Sequence, residues 1–187
     1  MSTDKSLAEQ MLTPGNQDKS IAELLQLGGD VDSQNDQGYT PLYIAAREGR
    51  IQWVRQLIEE GANINGASKA DYTALHVATI QDHLDIVKTL IGAGADPNLK
   101  NKFGETPLYR ACANGLTDIG IELIKAGSII KAGDSAGVKG NPLDFPNAEA
   151  IRNWYQSNMA REQIASAMTG AAPHAVTPNN KPKGISL

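Results

Sequence analysis

Apolar residues recur along this chain on two superposed periods, a short helical one and a long one of 33 residues. Leu24, Leu57, Leu90 and Leu123 keep the long step, and Gly28, Gly61, Gly94 and Gly127 keep it just beyond them. Thr40, Thr73 and Thr106 form a parallel series. Each is followed two positions later by a leucine (Leu42, Leu75, Leu108) and five positions later by an alanine (Ala45, Ala78, Ala111). A period of this length marks stacked supersecondary units.

Inside one period, Gly38-Tyr39-Thr40-Pro41-Leu42 predicts a turn that opens into a helix. The glycine supplies a backbone angle that other residues resist, and the proline is preset for a first helical turn. Leu42, Ala45 and Ala46 lie on one side of that helix, and Gly49-Arg50 breaks the pattern. Ile51, Val54, Leu57 and Ile58 then make a second helix, which Gly61 ends. Ala62-Asn63-Ile64-Asn65-Gly66 is too short for a strand of its own and rich in turn formers, which predicts an outward hairpin before the next copy. Neither helix is stable alone and a helix pair has no closed core, so adjacent copies must cover one another's apolar faces. The alanines at 45, 46, 78 and 111 let neighbouring helices approach; a larger side chain there overpacks by roughly 1–3 kcal/mol.

The flanks are degenerate. Ile21, Leu24, Leu25 and Gly28-Gly29-Asp30-Val31-Asp32 fit a second helix and hairpin, with Leu7 to Leu12 as its first helix, and read as an N-terminal cap. Gly127-Ser128-Ile129-Ile130-Lys131 keeps the spacing with changed chemistry, and Asn141-Pro142-Leu143-Asp144 restores the turn-to-helix signal two residues late. Phe145-Pro146-Asn147 interrupts the expected first helix, and Ala148 to Met159 predicts a closing helix carrying Ile151, Trp154 and Tyr155, extended through Met168. The organisation expected is an N-terminal segment with a cap helix at 1–19 and a repeat domain at 20–158, followed by a helix extension at 159–169 and a disordered, proline-bearing tail at 170–187. The units within the repeat domain fall at about 20–34, 35–67, 68–100, 101–133 and 134–158.

Composition narrows the function. The 17 Lys and Arg against 21 Asp and Glu give a net charge of −4, which argues against a nucleic-acid partner. No window reaches the ~18 apolar residues of a membrane span, and the N-terminus lacks the apolar core of a secretory signal. An intracellular, cytoplasmic, monomeric protein without a cofactor is therefore expected, with delivery into a host cell kept open for a bacterial source. Cys112 is the only cysteine, so neither an intrachain disulfide nor a paired-thiolate zinc site can form. It falls on a packed helix with no histidine placed to activate it. His76 and His83, with Asp82 or Asp85, match no ligand spacing. Gly92-Ala93-Gly94-Ala95-Asp96 follows a helix and has no Lys-Ser/Thr pair, so it reads as a helix end and not a phosphate loop.

The segments Thr40-Pro41-Leu42-Tyr43-Ile44-Ala45, Thr73-Ala74-Leu75-His76-Val77-Ala78 and Thr106-Pro107-Leu108-Tyr109-Arg110-Ala111 resemble the T-P-L-H-x-A signature of the ankyrin repeat. Gly61-Ala62-Asn63-Ile64-Asn65 and Gly94-Ala95-Asp96-Pro97-Asn98 are similar to that family's G-A-D-x-N hairpin, and the resemblance covers roughly 20 to 158. It implies an all-α solenoid of stacked helix-turn-helix units with projecting β-hairpin loops. It also implies a non-catalytic scaffold or adaptor that binds a protein, with His76 hydrogen-bonded to the hairpin backbone.

Stacking aligns the hairpins and first helices along one concave side. The fingers are expected to present Asp36, Gln37 and Tyr39, then Lys69, Ala70 and Tyr72, then Lys102, Phe103 and Glu105, with Tyr39, Tyr72 and Phe103 as an aromatic ladder. On the first helices Arg47, Glu48, Ile80, Gln81, Ala113 and Asn114 face the same groove, and Arg110 either reaches a partner carboxylate or snorkels from a packed position. Two further readings stay open: a small bacterial effector, or an inhibitor or immunity protein, that blocks a target, and an enzyme with a divergent site at Asp144, Glu149, Arg152 and Tyr155. The terminal Ile185-Ser186-Leu187 has the form some carboxylate-binding domains accept, and the tail is also where a secretion signal could reside.

Overall fold

The computed structural model describes residues 6–16, 18–26, 29–130 and 141–169. The tail expected at 170–187 with Ile185-Ser186-Leu187, the first five residues, Gly28 and the unit boundary at 134 lie outside the described residues.

Each signature threonine caps the helix it precedes. The hydroxyls of Thr40, Thr73 and Thr106 accept from the amides of Tyr43, His76 and Tyr109 at 3.1, 3.4 and 3.2 Å, satisfying a donor that the first turn cannot pair internally. The first helices are α3 (Pro41–Arg47), α5 (Ala74–Ile80) and α7 (Pro107–Asn114). A tight turn leads to the second helices α4 (Ile51–Glu59), α6 (Leu84–Gly92) and α8 (Thr117–Lys125). That turn closes identically in each unit: the amides of Arg50, His83 and Leu116 donate to the carbonyls of Ala45, Ala78 and Ala111. Ahead of them stand α1 (Leu7–Leu12) and α2 (Ile21–Leu25), each opened by a serine capping box, Ser6 with Glu9 and Ser20 with Glu23.

The helices stack in two layers. One runs α1–α3–α5–α7 and the other α2–α4–α6–α8. Leu24, Leu57, Leu90 and Leu123 have no exposed surface, and neither have Ala45, Ala78 and Ala111 between the first helices. The core is therefore a column of equivalent positions, built by neighbours covering one another.

Between second helix and next finger, side chains tie successive units together. Asp32 Oδ1 accepts the Asn63 amide at 2.9 Å, Asn65 Oδ1 the Asp96 amide at 3.0 Å, and Asn98 Oδ1 the Ile129 amide at 2.7 Å. One short polar residue per unit thus satisfies a loop amide of the following unit, fixing the spacing of the stack in a region with little apolar area.

At the C-terminal end the pattern changes. Short 3-10 turns at Pro142–Asp144 and Pro146–Ala148 stand where a first helix belongs, packed on α7. Pro146 lacks an amide hydrogen and its ring would meet the carbonyl four residues back, so an α-helix cannot run through it. The closing helix α9 (Glu149–Thr169) covers α8. Gly120 makes this approach close, because a Cβ there would lie 2.5 Å from Ile151 Cδ1.

Among the described residues there are no strands. The expected hairpins are tight turns, with one isolated antiparallel bridge between Ala67 and Thr73.

Candidate functional site

The fingers are held by residues that sequence reasoning passed over. Asn35, Ser68 and Asn101 are buried polar side chains at equivalent positions. Asn35 Oδ1 accepts from the amides of Gln37 and Tyr39 at 3.1 and 3.0 Å, Ser68 Oγ from Ala70 and Tyr72 at 3.4 and 3.2 Å, and Asn101 Oδ1 from Phe103 and Glu105 at 2.9 and 3.0 Å. Across each turn the amides of residues 35, 68 and 101 donate to the carbonyls of Tyr39, Tyr72 and Glu105. Each fingertip is thus rigid before anything binds. Their shared 33-residue spacing was the available signal, but a polar residue in a turn reads as surface.

The aromatic groups pair instead of forming a simple ladder. Tyr39 stacks on Tyr43 with centroids 4.5 Å apart and planes 7° from parallel, and the Arg47 guanidinium lies 5.5 Å over the Tyr39 ring. Burial, with the neighbouring Tyr39 phenol second, raises the Tyr43 pKa above its ordinary value. Phe103 occupies the fingertip position of Gln37 and Ala70, while Glu105 takes the place of Tyr39 and Tyr72. Phe103 nevertheless reaches back to the preceding unit, edge-on to Tyr72 at 6.5 Å, and leaves 61% of its surface exposed. Asp36, Gln37, Lys69 and Lys102 are exposed at the tips, and Lys69 Nζ donates to the Asp36 carbonyl at 2.6 Å. Glu48, Gln81 and Asn114 are exposed at the ends of the first helices, with Ile80, Arg47 and Ala113 partly covered.

Arg110 settles into the chain's own structure. Its Nη2 contacts Glu105 Oε2 at 2.8 Å and donates to Tyr72 Oη at 3.1 Å, so the carboxylate it reaches is internal and belongs to its own finger. Tyr72, Glu105 and Arg110 are in this way one assembly spanning two units.

His76 is a structural group. Thr73 donates its amide to Nδ1 at 3.2 Å, and Nε2 lies 3.1 Å from the Glu105 carbonyl, a pattern that assigns the proton to Nε2. Burial pushes its pKa down, since a charged imidazole would lose its hydration. The unfolded chain therefore takes up a proton first as pH falls. The stability this neutral imidazole contributes is complete above the unfolded value of about 6.5 and is lost as pH drops below it. Titration of the His76 ring by NMR is expected to give a midpoint below 6.5, with urea resistance declining from pH 7.5 to pH 5; a midpoint above 6.5 contradicts this burial argument.

His83 Nε2 lies 3.4 Å from the Arg47 carbonyl of the preceding unit. Burial pushes the Cys112 thiol up to about 12, which leaves it without thiolate at neutral pH. Among the described residues no group of three or more His, Cys, Asp or Glu is placed to hold a metal ion. In the last unit Arg152 Nη2 donates to the Phe145 carbonyl at 3.2 Å and Tyr155 packs against the core, while Asp144 and Glu149 face solvent. No hydrogen bond or ion pair among the described residues joins any two of these four. No helix among the described residues is long and apolar enough to cross a membrane.

Comparison with known families gives one finding. Residues 11–101 match the family model of ankyrin repeats (3 copies), a match that begins in α1 and ends at the third finger. No curated protein matches the chain. Ankyrin repeats generally mediate protein–protein interaction. The two-layer stack, the threonine caps and the matched segment lead to the same conclusion: residues 11–101 are a run of ankyrin repeats.

Proposed function

We propose that this protein is a non-catalytic interaction module that binds a protein partner through its concave face, formed by the fingers and the first helices. The observation that carries this reading is Phe103, a large apolar ring left 61% exposed on a fingertip that Asn101 holds rigid. An exposed aromatic costs solubility and contributes nothing to the core, whereas a rigid aromatic loses little entropy when a partner covers it. Asp36, Gln37, Tyr39, Lys69, Tyr72, Lys102 and Phe103 supply the fingertip contacts in this proposal. Arg47, Glu48, Ile80, Gln81 and Asn114 extend them along the first helices. Glu105 and Arg110 brace Tyr72 from behind and act through it.

Site-specific photo-crosslinking tests the face directly. Photoreactive residues at Gln37 and Lys102 are expected to yield one shared cross-linked protein in the native cell, and the same groups at Glu59 and Lys88 on the second helices are expected to miss it. Cross-links from the second helices alone would place the binding surface on the opposite side.

A further inference from the structure

Resting on that reading of the face, we propose that the partner it grips is a second copy of this chain, in a two-fold dimer that sets the first finger of each copy against the third finger of the other. This departs from the monomer expected from composition. The charges along the fingers are the first reason. At the N-terminal end of the row stand two carboxylates, Asp36 on the first finger and Glu9 on α1, lining one hollow. At the other end the third finger exposes two ammonium groups, Lys100 and Lys102. The middle finger exposes one charge of each sign, Lys69 and Asp71, on either side of Ala70. On the first helices Arg47 is paired with Glu48 at 2.9 Å and Arg110 with Glu105 at 2.8 Å, so neither disturbs this order of signs.

Negative, balanced, positive is a row that becomes its own complement when it is reversed. A two-fold axis at the middle finger therefore sets every finger against its opposite charge, and makes each match twice. Among the described residues the Asp36 carboxylate and the Lys102 ammonium have no hydrogen bond or ion pair, so pairing them across the axis displaces no internal partner. Lys69 holds the Asp36 carbonyl and leaves its carboxylate open.

The second reason is apolar. Two of the large apolar side chains left exposed among the described residues lie at opposite ends of the row, Phe103 with 61% of its surface open and Leu12 with 40%. Leu12 and Pro14, with Asp36 and Gln37, line a hollow of about 360 Å³ beside the first finger. Phe103 stands at the finger position of Gln37. The rotation that exchanges first and third fingers thus carries each Phe103 ring to the other copy's hollow, and the adjacent Lys102 to Asp36 and Glu9. Ring and recess then shield each other from water. The third reason is the residue at the axis. Ala70 holds the position of Gln37 and Phe103 on the middle finger, where two-fold symmetry sets a side chain against its own copy. A methyl group permits that contact, whereas two large or two charged side chains would collide or repel. Lys69 and Asp71, flanking it, each meet the opposite sign. Ser68 Oγ already fixes this finger by accepting from the amides of Ala70 and Tyr72, so docking orders little that was free.

Sedimentation velocity of the full chain, from about 1 to about 200 µM and at low and high salt, tests the proposal. The expected result is a monomer–dimer equilibrium that salt weakens. Asp36→Lys, Lys102→Glu and Ala70→Glu, each checked for unchanged helicity, should weaken the dimer about tenfold or more. The finger tolerates a large side chain at position 70, since Gln37 and Phe103 hold that place on its neighbours. The chain carrying Asp36→Lys and Lys102→Glu together should regain the dimer, because both ends have exchanged sign and match again across the axis. A monomer throughout the range, a dimer indifferent to the three substitutions, or a double variant no better than its parents would overturn the proposal. If Gln37 and Lys102 cross-link a different protein while the chain sediments as a monomer, the protein-binding reading stands and the dimer falls. A dimer cross-linked only from Glu59 and Lys88 would overturn both.

Discussion

Truncating Leu90 to alanine is expected to lower stability by about 3 kcal/mol, within the roughly 2–5 kcal/mol that deletion of a fully buried leucine costs. Leu90 has no exposed surface, and its helix α6 packs on α4 before it and α8 after it. The lesion therefore weakens both interfaces of the central unit. Leu24 is equally buried in the same column, but its helix α2 belongs to the end unit and packs onward only through α4. In a one-dimensional stack an end unit can fray while the rest stays folded, so Leu24→Ala is expected to cost the global transition distinctly less. Urea unfolding followed by circular dichroism measures both variants. Equal losses would mean that the chain unfolds as one closed core, and the stacking account of its stability would be wrong.

The columns of leucine, alanine and glycine were legible in the sequence because one physical task recurs at each 33-residue step and selects the same residue type every time. The threonine caps were visible as a signature for the same reason. Polar tasks are harder to see. Asn35, Ser68 and Asn101 do identical work on three fingers, but two residue types share the job and neither is apolar, so burial is apparent only in three dimensions. Arg110 is harder still. Its hydrogen-bond partner Tyr72 lies 38 residues earlier, a pairing that no local pattern records. The offset of Phe103 from the register of Tyr39 and Tyr72 was present in the sequence, yet only the finger's geometry shows its ring turned back toward Tyr72. At the C-terminal end Pro146 announced an interrupted helix, whereas Asn141-Pro142 read as an ordinary helix start. That the chain answers with two 3-10 turns and a longer covering helix depends on how α7 and α8 pack there.

Replacing Tyr39, Tyr72 and Phe103 together with alanine is expected to abolish capture of the protein partner while the helices persist. If two of the three rings act as hot spots of about 2 kcal/mol each, affinity falls about a thousandfold, since every 1.4 kcal/mol is a factor of ten. The structural losses are smaller and can be assigned ring by ring. Phe103 is exposed, and its removal takes away only the edge contact with Tyr72. Loss of Tyr39 breaks the stack on Tyr43, a contact worth about 0.5–1.5 kcal/mol, and uncovers the ring beneath Arg47. Loss of Tyr72 removes the phenol from Arg110, which retains Glu105, at a cost of about 1 kcal/mol, and with it the ring's edge contact with His76 and its packing on the core, for about 0.5–1.5 kcal/mol more. The melting temperature should therefore drop by several degrees with the helical signal unchanged, and Tyr72→Phe, which keeps all the rings, should recover part of the binding. Quantitative capture of the cross-linked partner by the wild type, the triple variant and the version with phenylalanine at position 72 separates the two effects. Undiminished capture by the triple variant would move the binding surface away from the fingers, because no contact made by those three side chains would then carry affinity.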